Sequence, residues 1–144
     1  MLGAPLSSEE EVFRLSFLSS DGKISPEAFE LSSADKQQTP QRLSVFARSR
    51  STPAQAWEIT NRNPRFISVA RLATSRLRQI ALEVRWDPIT SPLPGADGHA
   101  ALLGLDQGNK LERKILRLKL ADLANESAIE KLGPPMPLVQ WSTP

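Results

Sequence analysis

Apolar and polar positions alternate along this chain in short runs broken by proline and glycine, and no run holds one period for long. Over residues 12–18, Phe13, Leu15 and Phe17 alternate with Arg14 and Ser16, the period-two pattern of a strand with one buried face. Asp21-Gly22 marks a turn. Ser25-Pro26-Glu27 then combines an N-cap, a proline at the first helical position and an acid in the first turn, which predicts one helical turn holding Ala28, Phe29 and Leu31. The polar residues 32–41 read as a loop, residues 43–47 as a short apolar strand, and Thr52-Pro53 opens a helix to Thr60 with Ala54, Ala56 and Trp57 turned inward.

Asn63-Pro64 forces a turn, after which residues 66–71 read as a strand with Ile67 and Val69 on one face. Thr74 or Ser75 can cap a short helix ending near Ile80, and Leu82, Val84 and Trp86 alternate with Glu83 and Arg85 as the next strand. Residues 87–98 hold three prolines and two glycines and form the longest irregular loop; residues 99–103 are a compact apolar strand closed by Gly104. The segment 109–127 fits two periods. Leu116, Leu118 and Leu120 alternate with Arg117 and Lys119, yet Leu116, Leu120 and Leu123 also keep helical spacing, as do Lys110, Arg113, Lys114 and Arg117. Its length and its good helix formers decide for a helix. Gly133-Pro134-Pro135-Met136-Pro137 continues no element. The expected organisation is a flexible start (1–10), one α+β domain (11–127) and a Pro-rich tail (128–144), the domain built on a mixed, mainly antiparallel sheet of about five strands with three or four short helices.

Composition narrows the chemistry. A chain of 144 residues can bury a core without staples, and the absence of cysteine excludes disulfides, thiol nucleophiles and thiolate metal sites. Neither a basic segment leading an apolar run nor a stretch of roughly 18 apolar residues is present, so a soluble, cytoplasmic protein that does not engage membranes is expected.

Charge changes the picture more. Residues 41–85 carry nine arginines, no lysine and two acids, flanked by three bases against seven acids before and six against seven after. Arginine offers a planar fork that pairs bidentately with carboxylate and phosphate, where lysine offers a point charge. Arg42, Arg48, Arg50, Arg62, Arg65 and Arg85 are therefore candidate binding residues, with Trp141 as an apolar anchor beyond the proline-rich break. The competing reading is internal neutralisation by Glu9, Glu10, Glu11, Glu27 and Glu30.

His99 is the single histidine and follows the long loop. As an acid/base group it would need an orienting partner, for which Asp87 and Asp97 are nearest; as a structural residue it would hydrogen-bond a backbone group at the strand start. Ser44 and Ser68 lie in predicted strands outside any nucleophile elbow, the carboxylate pairs Glu27/Glu30 and Asp122/Glu126 fall on solvated faces, and Gly95-x-x-Gly98 lacks the lysine of a P-loop. No motif calls for a cofactor or a metal.

Asp21-Gly22-Lys23-Ile24-Ser25 with Ala28-Phe29, Leu43-Ser44-Val45, residues 53–57, Asp87-Pro88 and Gly98-His99-Ala100 together resemble a group of short bacterial proteins of unassigned function, over residues 12–125. The resemblance implies a small bacterial accessory protein and carries over no catalytic residue. On charge, and because no catalytic constellation stands out, the expected function is non-catalytic binding of an acidic partner protein through the arginine-rich face. Two alternatives stay open: a small enzyme acting on a phosphorylated or nucleotide substrate, with His99 as acid/base and Arg42 or Arg85 on the phosphate, and a nucleic-acid binder. The low aromatic content, without tyrosine, weighs against the last.

Overall fold

The computed structural model describes residues 2–126 and 129–132. Its core is one six-stranded sheet, β1 (Glu11–Ser16), β2 (Arg42–Ala47), β3 (Ser68–Ala73), β4 (Glu83–Trp86), β5 (His99–Leu103) and β6 (Glu130–Lys131), in the order β4-β5-β2-β1-β3-β6. Every neighbouring pair is antiparallel. The helices are α1 (Ser33–Lys36), α2 (Pro53–Ile59), α3 (Thr74–Gln79) and α4 (Lys110–Ala124), and 3₁₀ turns sit at Pro26–Phe29 and Ala96–Gly98.

The sheet is curled, and chain geometry says why. In a flat sheet β3 and β4 would lie about 19 Å apart, four strand spacings. The six-residue α3 spans only about 9 Å, and residues 80–82 after it fold back instead of extending, Ile80 and Leu82 donating to the Leu77 carbonyl and Ala81, at φ +65°, to the Arg78 carbonyl. Leu6, Leu77 and Leu82 are buried in the core that this closure encloses.

Both faces of the sheet are covered. One carries Val12, Leu43, Val45, Ala47, Ala70, Leu72, Val84, Ala100 and Leu102, which pack with Ile24, Phe29 and the α4 residues Leu120, Ala121 and Ala124. The other carries Phe13, Leu15, Phe46 and Val69 under Ala56, Trp57 and Ile59 of α2. The alternation in β1 thus has two buried faces instead of the expected one: Val12 faces α4 while Phe13 stacks on Phe46, ring centroids 5.8 Å apart.

Other expectations shift. The start is not loose where it is described, because Gly3 and Leu6 donate their N–H groups to Trp86 and Val84 and Leu6 is buried, so residues 3–6 cover the free edge of β4. β6 lies beyond the expected domain end at 127 and pairs with β3, which makes a sixth strand. The strand expected at 66–71 runs from Ser68 to Ala73, and the loop at 32–41 contains the capped turn α1. No Thr74 or Ser75 cap forms; α3 follows β3 directly, with Ala73 at the N-cap. The rest of the Pro-rich tail, including Trp141, lies outside the described residues.

Candidate functional site

Two surfaces gather chemistry: a polar cluster around His99 and the outward side of α4. The first is built by the loop that ends in the 3₁₀ turn Ala96–Gly98. A Cβ on Gly98 would sit 2.8 Å from the Ser51 Cβ, and one on Gly95, at φ +87°, would sit 2.7 Å from Gln55 Oε1. Glycine at both positions therefore lets the loop lie flush on the start of α2 and deliver His99 at the head of β5.

The His99 ring is buried, with 8% of its surface exposed. Nδ1 lies 2.7 Å from the Asp87 carbonyl oxygen and Nε2 lies 3.0 Å from Ser44 Oγ. A carbonyl only accepts, so in the neutral ring the proton is on Nδ1 and Nε2 accepts from the Ser44 hydroxyl. The Asp87 N–H in turn donates to the His99 carbonyl at 3.1 Å, which locks the two backbones together. Asp87 Oδ2 is 3.7 Å from Nδ1 and 3.4 Å from Arg42 Nε, giving a chain Arg42, Asp87, His99, Ser44. Arg42 Nε is buried without a hydrogen-bond partner among the described residues, whereas Ser44 is exposed. The Phe46 ring meets the imidazole edge-on at 5.4 Å.

A cavity of about 330 Å³ reaches His99, with Arg50, Trp86, Ile89, Ala96 and Asp97 among its walls. Of the two acids expected to orient His99, Asp87 stands at the ring, while Asp97 lines this cavity. Arg50 lies over the Trp86 ring, 4.0 Å from its centroid.

The arginines of residues 41–85 are largely occupied. Six of the nine meet carboxylates: Arg42 with Asp87, Arg48 with Glu11 and Glu130, Arg62 with Glu58, Arg71 with Glu11, Arg76 with Glu126 and Arg78 with Glu83. Of the others, Arg50 stacks on Trp86, Arg65 lies 5.5 Å from the Phe17 centroid and Arg85 donates to the Gly3 carbonyl at 2.7 Å. Of the acids expected to neutralise this stretch, Glu11 forms ion pairs with it; most partners come instead from Glu58, Glu83, Asp87, Glu126 and Glu130. Glu11 shows the energetics. Burial works to raise its carboxyl, but hydrogen bonds and charge from Arg71 and Arg48 outweigh it and hold the group below its ordinary value of 4.5.

The bases of α4 are different. Asn109 and Glu112 close a reciprocal capping box that starts the helix. Lys110, Arg113 and Arg117 then line a groove of about 480 Å³ together with Lys36, Glu30 and Asp106. No ion pair joins any of these four bases to an acid among the described residues. Beside them Leu111, Ile115 and Leu118, at i, i+4 and i+7, are 65%, 43% and 45% exposed. The basic spacing is visible in the sequence; this outward apolar stripe escapes notice because the buried residues Leu120, Ala121 and Ala124 already satisfy the pattern of a core-facing helix.

Among the described residues no group of three or more His, Asp or Glu could hold a metal ion, and no helix is long and apolar enough to cross a membrane. The chain matches no family model, no curated protein and no solved structure.

Proposed function

We propose that this chain is a small accessory binding protein of bacterial type that engages an acidic partner protein, and that the engaging surface is the outward side of α4. The observation that carries the reading is the coincidence, on one helix, of cations without carboxylate partners and three exposed large apolar side chains. Exposed leucine and isoleucine rimmed by lysine fit an amphipathic acidic segment, whose apolar face covers the stripe while its carboxylates meet Lys110, Lys114 and Lys119. A second copy of the same helix fits poorly, because it would set these bases against one another. The arginine-rich stretch supports partner binding less well, since most of its forks already hold an internal carboxylate.

Capture experiments in the source cell separate the two surfaces. Leu111→Ser with Lys114→Glu changes only exposed positions, so melting should stay within a few tenths of a kcal/mol of stability while capture is lost. Arg62→Glu with Arg65→Glu should leave capture intact. The reverse result would return the function to the arginine face. Recovery of nucleic acid, weakening linearly in log salt, would replace the protein partner altogether.

A further inference from the structure

The cluster at His99 holds an arrangement that partner binding does not need: an exposed serine hydroxyl hydrogen-bonded to an imidazole whose tautomer is already set. We propose that Ser44 and His99 form a nucleophile and general-base pair that cleaves small carboxylic esters.

The parts of such a pair are an alcohol, a base within hydrogen-bond reach and a third group that orients the base. Ser44 Oγ to His99 Nε2 is 3.0 Å, and the Asp87 carbonyl at 2.7 Å holds the ring with its Nε2 lone pair toward the serine. The Asp87 carboxylate, 3.7 Å from Nδ1, faces the charge that the imidazolium would carry. Ser44 is exposed and so reachable, while His99 is shielded, which strengthens its electrostatic coupling to both neighbours. Arg42, two residues before Ser44 on the same face of β2 and 3.4 Å from Asp87, places a cation beside these groups. The cavity walled by Trp86, Ile89 and Ala96 reaches His99, the base of the pair, while Ser44 opens to the surface outside it.

In the reaction, the Ser44 O–H bond breaks as its oxygen bonds the acyl carbon and the proton passes to His99 Nε2. The imidazolium returns that proton to the departing alkoxide as the ester C–O bond breaks, leaving an acyl-serine. Water, deprotonated by His99, then attacks the acyl carbon, releases the carboxylic acid and restores the serine. The net change is hydrolysis of the ester, with no oxidant or reductant.

The test uses the full chain with p-nitrophenyl acetate as substrate and a fluorophosphonate as covalent probe. Expected are one adduct by intact mass, mapped to Ser44, and measurable ester turnover. Ser44→Ala should abolish the adduct. His99→Asn keeps a donor for the Asp87 carbonyl but removes the base, so both variants should melt like the parent and turn over about 10²–10⁴-fold more slowly. Adduct formation at other residues only, or Ser44→Ala hydrolysing at the parent rate, would overturn the proposal; so would a folded His99→Asn that labels as fast as the parent.

Discussion

Arg14 is the arginine that the charge argument passes over, and it ties a turn on the α4 side to the backbone of β2. It stands in β1 on the α4 side, where its Nε donates to the Ala28 carbonyl at 2.8 Å and its Nη1 to the Ser44 carbonyl at 2.9 Å. Burial pushes its guanidinium below the ordinary value, with the Asp35 charge opposing the shift. One fork thus fixes the 3₁₀ turn at Pro26–Phe29 against β2, at the same residue whose hydroxyl meets His99 on the other face. Arg14→Met keeps the length and removes both bonds, so a loss of about 1–3 kcal/mol is expected in urea unfolding. An unchanged midpoint would mean that water satisfies those carbonyls equally well. Nothing local in the sequence announces this role, or the Ser44–His99 contact, whose members are 55 residues apart. Both depend on strand register, Phe13 opposite Phe46 for Arg14 and Phe46 opposite His99 for Ser44.

At the scale of elements, legibility follows the source of each element's stability. α4 is readable because its signals are its own: its length and good helix formers decide against the rival alternation, and in the structure Asn109 and Glu112 close its start. α2 is readable for the same reason, through Thr52 and Pro53. β6 has two residues and no pattern; it is a strand because Ser68 and Val69 of β3 offer it a ladder. The segment at residues 3–6 likewise takes its form from β4, whose carbonyls accept from Gly3 and Leu6. Borrowed structure of this kind leaves no periodicity to read. The cap of α4 can be tested directly, because Asn109 is exposed and its role is local: Asn109→Ala should cost about 1 kcal/mol in thermal or urea unfolding. No loss would show that packing of Leu120, Ala121 and Ala124 alone sustains the helix.

Across the whole molecule, charge serves closure. Glu11 in β1 meets Arg71 in β3 and Arg48 just after β2, and Arg48 and Arg71 both reach Glu130 in β6, so four charges clasp one end of the sheet where β6 joins its edge. A second clasp joins Arg78 of α3 to Glu83 of β4, where burial works to raise the Glu83 carboxyl but the Arg78 hydrogen bonds and the Val84 N–H hold it below its ordinary value. Both carboxylates therefore bind protons less readily in the folded chain than in the unfolded one. The stability they contribute is fully present above their ordinary value of 4.5 and drains away as pH falls from there through the lower folded values. Urea midpoints measured from neutral pH downward should show it. Glu11→Gln should begin below the parent at neutral pH and converge with it in acid, because the parent then loses by protonation what the variant lacks already. Coincident curves would mean that the clasp contributes nothing, and the segregation of arginine into residues 41–85 would then need a cause outside the fold.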